Sequence, residues 1–342
     1  MSKQKGTPLR SGVGGEGGIR TPVTLSSKAV FKTAAFNRSA TSPQFHKANS
    51  VCGALPNAIY DQRQTGKAAR KYIRAGQHAI FAQMATLRVE FLGTGTSQGV
   101  PVVACECAVC RSADPRDKRL RTSVWVQVNG KSLLIDAGPD LRQQLLRSRV
   151  ERLDAVLLTH EHMDHIAGID ELRAFNFKQD REMDMYGNAA TNAAVKRMFH
   201  YAFAEQKYPG VPELELHTLG NSAFDAQGVE VLPVQVMHYE MPVLGFRIGG
   251  FAYITDAKTI SSAEKEKLKG LEVLVLNALR KKTHLSHLNL SEAMDLVQEL
   301  GPKKAYFTHI SHLLGDHAAV SQELPPTMQL AYDGLVVTIP HA

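Results

Sequence analysis

From Met84 onward, short apolar runs alternate with turns and amphipathic stretches. The runs predict strands at Leu87–Leu92, Ser123–Val128, Ser132–Ile135, Ala155–Thr159 and Val229–Met237. Five more follow at Gly245–Ile248, Ala252–Thr255, Val273–Leu276, Ala305–Thr308 and Leu335–Ile339. They are rich in Val, Ile, Leu, Phe and Tyr, and many are bounded by Gly, Asn or Asp. Helical spacing predicts helices at Leu141–Arg149, Gly168–Phe177, Ala190–Gln206, Ser262–Lys269, Glu292–Leu300 and Ala318–Glu323. Ser261 with Glu264 reads as a capping box, Ser291 as an N-cap, and Pro325-Pro326 as a stop. Many strands with interspersed helices, and no strict βαβ alternation, predict a layered α/β sandwich. The lone Trp125 reads as core, and Met183 and Met185 as packing around a strand-like piece.

Residues 1–83 break this pattern. They carry 13 Lys/Arg against two acids, Glu16 and Asp61, whereas residues 84–342 carry 27 Lys/Arg against 31 Asp/Glu. The net charge of +7 therefore comes from the N-terminal segment, and the main body is acidic. A basic arm, a transit-like presequence and an upstream extension of the gene all fit this composition. The third is preferred, because Gly14–Pro22 resembles a translation of tRNA-gene DNA; Met84 would then be the first residue of a single domain, 84–342. No apolar h-region follows the first basic residues, and no apolar run reaches the roughly 18–20 residues that span a bilayer. A cytoplasmic protein that neither enters membranes nor depends on nucleic acid is expected.

Candidate chemistry collects at the ends of four runs. Val156–Thr159 leads into His160, Val234–Met237 into His238, Ala252–Thr255 into Asp256 and Ala305–Thr308 into His309. The first opens the dense cluster His160-Glu161-His162-Met163-Asp164-His165. Packed imidazoles and carboxylates repel and desolvate at a cost that a divalent cation removes. Seven candidates, His160, His162, Asp164, His165, His238, Asp256 and His309, exceed one tetrahedral ion and suit two cations sharing a carboxylate. Separately, Cys105, Cys107 and Cys110 are too close together for a loop-closing disulfide framework and suit zinc, which needs a fourth ligand. Cys52, His312 and His317 are the available fourth ligands.

The order His160-x-His162-x-Asp164-His165, then His238, Asp256 and His309, resembles the metallo-β-lactamase superfamily signature. The resemblance implies an αββα sandwich with metals at one edge of its two sheets. It implies that His160, His162 and His238 hold one metal, that Asp164, His165 and His309 hold the other, and that Asp256 bridges. Asp136, in Leu134–Gly138, matches a buried supporting aspartate. Gly93-Thr94-Gly95-Thr96-Ser97-Gln98-Gly99-Val100-Pro101 and the cysteine triplet resemble the phosphoribosyl 1,2-cyclic phosphate phosphodiesterase family of phosphonate degradation. Ala331-Tyr332-Asp333-Gly334-Leu335 is similar to the wider family.

The family resemblance implies a structural Zn²⁺ on Cys105, Cys107, Cys110 and His312, and an active-site role for His287. It implies two Mn²⁺ or Zn²⁺ ions, with Asp164 and His287 in the catalytic machinery. The implied reaction is hydrolysis of a small cyclic phosphate by attack of a metal-bound hydroxide; a homodimer stays open. A ribonuclease Z-type endonuclease and a thioesterase share the metal core. A catalytically idle zinc module is the contrasting class, opposed by the complete ligand set. The acidic body and the lack of a basic Gly/Pro-rich arm argue against a tRNA substrate. Gly93-Thr94-Gly95 lacks the Gly-Lys-Ser/Thr of a P-loop and reads as a close-approach segment. His284 reads as a supporting group or a surface residue, and His200 and His217 receive no role. Arg280-Lys281-Lys282 reads as a solvated face with a phosphate-steering alternative.

Overall fold

The computed structural model describes residues 86–341. The expectations for segment 1–83, Met84 and Cys52 lie outside the described residues. Among the described residues, fourteen strands form two sheets. Strands β1 (Thr86–Gly93), β2 (Ser123–Val128), β3 (Lys131–Ile135), β4 (Ala155–Leu157), β5 (Met183–Gly187) and β6 (Leu214–Thr218) belong to the first. Strands β7 (Phe224–Asp225), β8 (Glu230–His238), β9 (Met241–Ile248), β10 (Phe251–Ile254), β11 (Val273–Asn277), β12 (Lys304–Thr308) and β13 (Met328–Leu330) form the second. The last strand, β14 (Val336–Pro340), returns to the first sheet. The orders are β14-β1-β2-β3-β4-β5-β6 and β13-β12-β11-β10-β9-β8-β7.

The two-residue strand period explains the layering. In β2, Val124, Val126 and Val128 face the core between the sheets, while Trp125 faces the helices outside the first sheet. In β11, Val273 and Val275 face between the sheets, and Leu274 and Leu276 face the helices outside the second. Central strands buried on both faces read as continuous apolar runs rather than alternating ones. The expected αββα sandwich is thus observed, with one core between the sheets and one under each helical layer.

Several local expectations change. The strand-like piece around Met183 and Met185 is β5, the short β6, β7 and β13 were not expected, and β9 starts four residues earlier than its apolar run implied. Ser261 caps its helix by accepting from Glu264 N–H (3.3 Å), but Glu264 turns its carboxylate to the Gln235 N–H (2.8 Å), so no capping box forms. The helix expected from Glu292 starts at Leu290, and Asn289, not Ser291, is its N-cap, in a reciprocal box with Glu292. The helix expected over Gly168–Phe177 is a 3₁₀ turn, Ile169–Leu172, followed by a helix from Arg173 to Gln179. The one from Ala190 ends at Met198, and the one from Ser262 ends at Glu266. Trp125 is buried as expected, its indole N–H donating to Ser132 Oγ (2.7 Å). No helix among the described residues is long and apolar enough to cross a membrane.

Strand direction places the chemistry. Strands β3 to β6 are parallel, as are β10 to β12, and β8 shares the direction of β10 through the antiparallel β9. The ends of β4, β8, β10 and β12 therefore present His160, His238, Asp256 and His309. Backbone closeness binds the two halves of this edge. Leu244 N–H donates to Thr159 C=O (2.9 Å), and Gly95 bridges both Arg121 and Ile310. Gly138 follows the strand-end residue Asp136, and a Cβ there would lie 2.1 Å from the Asp164 carbonyl oxygen. Gly138→Ala is expected to destabilise the fold by about 1–3 kcal/mol, the range for overpacking, and to displace Asp164. Urea unfolding measures the first effect and metal content the second.

Candidate metal centre

Asp136 is the buried hub from which the cluster is organised. Its backbone sits at φ 65°, a left-handed conformation that Asp tolerates better than most residues. Its carboxylate accepts from the Thr159 N–H (2.9 Å), from Thr159 Oγ1 (2.9 and 3.0 Å) and from His165 Nδ1 (2.7 Å). Burial pushes this carboxyl up, against the pull of His165 and Thr159. Because the Thr159 hydroxyl donates to Asp136, its lone pair accepts from His160 Nδ1–H (2.9 Å). In the neutral form, both His160 and His165 thereby carry their proton on Nδ1 and turn an unprotonated Nε2 inward. His238 is set the same way, its Nδ1–H donating to the Ser286 carbonyl (2.9 Å). Such outer hydrogen bonds fix imidazole tautomers for metal ligation.

The inward atoms converge. His165 Nε2 lies 3.1 Å from Asp164 Oδ2 and 3.4 Å from Asp256 Oδ2. His309 Nε2 lies 3.5 Å from Asp164 Oδ2 and 3.4 Å from Asp256 Oδ1. His160 Nε2 lies 4.0 Å from Asp256 Oδ1. The rings of His160, His162 and His238 stand 4.7, 5.2 and 5.9 Å apart pairwise. All seven residues expected from the sequence thus meet at one edge, with His162 on its exposed side and the other six buried. Asp256 and His309 take left-handed backbones at φ 53° and 55°, the local cost of turning a strand-end side chain into the cluster.

The electrostatics suit a cation. Burial and the adjacent His165 hold His160 well below the ordinary imidazole range. Burial would lower His165 too, but the carboxylates of Asp164, Asp136 and Asp256 outweigh it and push it well above. Asp256 stays well below the usual carboxylate range despite its burial, because His309 and His165 face it. Asp164 is likewise lowered despite burial, through His165 and His309. The Nε2 atoms of His160, His165 and His309 are nonetheless buried without a hydrogen-bond partner. Orphaned inward nitrogens beside carboxylates are the arrangement a divalent metal satisfies, so the residues present fit the metals that the fold binds.

His287, at the same edge, places Nε2 3.0 Å from Asp256 Oδ1. Its Nδ1 lies 3.2 Å from His284 Nδ1 and 3.1 Å from Ser286 Oγ, so His284 belongs to the site's surroundings rather than to a remote surface. Burial holds His287 and His238 below the usual range. His217 instead pairs with Asp184 (2.7 Å) between β5 and β6, and His200 is exposed at the start of a 3₁₀ turn. Two of the three residues of the basic run are tied down: Arg280 donates to the carbonyls of Lys282 and Thr283, and Lys281 pairs with Glu323.

A second cluster has a different geometry. His312 Nδ1 lies 3.3, 3.4 and 3.5 Å from the Sγ atoms of Cys105, Cys107 and Cys110. Tetrahedral zinc with its usual bond lengths sets nitrogen and sulfur about 3.5 Å apart. The rival His317 points elsewhere, to Arg119 (3.1 Å). Hydrogen bonding from the Cys110 N–H and His312 lowers the Cys107 thiol to about 6, while burial raises Cys110 to about 11.

Sequence reasoning missed the threonines. Thr159, Thr255 and Thr308 each precede a strand-end site residue and are fully buried. Thr255 Oγ1 donates to Asp256 Oδ2 (2.6 Å), and Thr308 Oγ1 meets Thr122 Oγ1 (3.0 Å). The recurrence of Thr before His or Asp was the available signal.

Comparison with known proteins agrees with this geometry. Residues 131–310 match the beta-lactamase superfamily domain. An octanoyltransferase from Porphyromonas gingivalis is 41% identical over 260 residues, covering 74% of this chain and 52% of that protein. A ribonuclease Z from Bradyrhizobium diazoefficiens is 32% identical over 136 residues, covering 39% of this chain and 45% of that protein. The chain thus spans about half the length of these curated relatives. The crystal structure of a diphosphatase from the PhnP family is 40% identical with a TM-score of 0.70, covering 74% of this chain and 97% of that one. With the fold, the converging ligand set and the domain match in agreement, the chain belongs to the beta-lactamase superfamily and takes the metallo-β-lactamase fold.

Proposed function

We propose that this chain is a phosphodiesterase that hydrolyses a small cyclic phosphate. The observation that carries the reading is the carboxylate of Asp256. Its Oδ1 faces His160 (4.0 Å) as well as His309, and its Oδ2 faces His165, so one side chain reaches both donor groups. His160, His162 and His238 would hold one divalent cation, and Asp164, His165 and His309 the other, with Asp256 between them. Mn²⁺ and Zn²⁺ both suit His/Asp donors. When bound, two such cations supply Lewis acidity toward phosphoryl oxygens and acidify a coordinated water. The 40% identical PhnP-family diphosphatase supports phosphorus as the reacting centre. Cys105, Cys107, Cys110 and His312 would hold a separate structural Zn²⁺.

The protein's own groups do the rest. Asp136 and Thr159 orient His160 and His165, so the ligand nitrogens are set before substrate arrives. His287 stands beside Asp256 with its ring largely buried, placed to contact the phosphate or to hand a proton to the leaving alkoxide. The Cys–His site joins the segment after β1 to the segment after His309, so it shapes the rim rather than the chemistry.

Hydrolysis of bis(p-nitrophenyl) phosphate with Mn²⁺ tests the reading. The wild-type chain should turn it over, and Asp256→Ala should lose more than about a hundredfold, beyond the loss of a supporting hydrogen bond. No turnover by folded, metal-loaded protein, with cleavage of a precursor tRNA instead, would keep phosphodiester chemistry but replace the small cyclic phosphate by RNA, and cleavage of an octanoyl thioester instead would overturn the phosphodiesterase reading.

His287→Ala should lower turnover while metal content, read by atomic emission, stays at the wild-type level. Loss of an equivalent of metal would make His287 a ligand.

Cys107→Ser should remove one zinc equivalent and lower the thermal midpoint by roughly 4 °C or more, with a smaller proportional change in kcat. An unchanged zinc content would remove the structural site.

A further inference from the structure

A cavity of about 380 Å³ opens beside the metal cluster, with His162 and His238 at its inner side and Tyr239, Glu240, Met241 and Leu285 among its walls. No Lys or Arg lines it. Of the nearby cations, Lys258 pairs with Glu292, Lys281 with Glu323 and Arg280 with loop carbonyls, while Lys282 is exposed on the segment before Leu285 and does not line the cavity. The charged wall residue is a carboxylate, Glu240. A second phosphate on the substrate would therefore enter without a counter-charge and against a like charge.

Tyr239 is the more telling residue. With Glu240 it forms the two-residue turn between β8 and β9, where His238 pairs with Met241. Such turns favour Gly or Asn where φ is positive. Tyr239 takes φ 58°, an outlier for a bulky side chain, and leaves 54% of its surface exposed. Neither local conformation nor core packing accounts for a tyrosine there. Leu285, another wall residue, is 68% exposed. A strained, half-exposed aromatic ring and an exposed aliphatic side chain border the cavity next to a metal-site histidine. Flat rings stack on such surfaces whatever their hydrogen-bonding edges.

Resting on the phosphodiesterase reading, we propose that the part of the substrate outside the reacting phosphate is an uncharged group with a planar ring, of the nucleoside class, and that Tyr239 stacks on it. This departs from a doubly phosphorylated sugar. Tyr239 and Glu240 are then the residues that set specificity: the first attracts the ring, and the second repels a further anion.

Calorimetric binding to the metal-loaded protein tests this without relying on turnover. Adenosine 5′-monophosphate presents one phosphate and a flat base, ribose 5-phosphate lacks the base, and ribose 1,5-bisphosphate adds a second phosphate. The wild-type chain should bind adenosine 5′-monophosphate roughly tenfold more tightly than ribose 5-phosphate, and the bisphosphate no more tightly than ribose 5-phosphate. Tyr239→Gly, which relieves the positive φ and should fold at least as well, should abolish the tenfold gap; Tyr239→Phe should keep it. Glu240→Lys should strengthen bisphosphate binding more than ribose 5-phosphate binding. Equal affinities for the two monophosphates, a gap that survives Tyr239→Gly, preferred binding of the bisphosphate by the wild type, or no binding of any of the three would overturn the proposal. If adenosine 5′-monophosphate binds as expected while phosphodiesters are not hydrolysed, the ring contact stands and the reaction assigned to the site falls.

Discussion

The site depends on a carboxylate that has no access to water. Asp136 ends β3 in a left-handed conformation and is completely buried. A buried carboxylate persists when donors surround it, and here Thr159 and His165 supply them. Those same donors come from the segment after β4 that carries the His160–His165 cluster. Satisfying one buried charge therefore fixes the backbone of the next strand end, the tautomers of two histidines and the inward aim of their Nε2 atoms. The glycines serve the same end. Gly138 lets the chain after Asp136 run against the Asp164 carbonyl, where any Cβ would collide.

A second constraint acts between the sheets. The first sheet supplies His160 to His165, and the second supplies His238, Asp256 and His309, so the centre is complete only when the two edges are in register. The core between the sheets sets their spacing without direction, since apolar contact has little angular preference. Directed bonds then set the register near the site. Leu244 N–H reaches Thr159 C=O, and Thr122 Oγ1 meets both Tyr253 OH and Thr308 Oγ1 (3.0 Å each). The segment Gly93–Thr96 adds backbone bonds to Ile310, directly after His309. Its resemblance to a phosphate loop is superficial, because its amides and carbonyls are used to hold a strand end.

Much of this was legible in the sequence, and the reason is chemical density. Three histidines and an aspartate within six residues, followed by three more strand-end ligands, admit few explanations besides metal. A layered α/β sandwich was legible because both sheets are covered on both faces, so their central strands are long apolar runs; the αββα order came from the family resemblance. What escaped was set by tertiary partners. Glu264 gave up a capping box for the Gln235 amide, and Asn289 took the cap that Ser291 could equally have supplied. The edge strand β6 alternates apolar and polar residues over five positions, too short a pattern to stand out. Thr159, Thr255 and Thr308 looked like ordinary β-branched strand residues, because a hydroxyl's partner cannot be read from spacing.

The distribution of strain separates what the fold requires from what the chemistry requires. Asp136, Asp256 and His309 adopt positive φ, and each is repaid at once: Asp136 and Asp256 by hydrogen bonds from neighbouring groups, His309 by its place between two carboxylates. Tyr239 adopts the same backbone region one residue after His238, yet more than half of its surface is exposed. Sequences tend to agree with their folds at every local choice, and departures concentrate where function is exerted. The three repaid residues belong to a centre that metals complete. Tyr239 borders the cavity beside that centre, where the proposed planar group of the substrate would cover its ring.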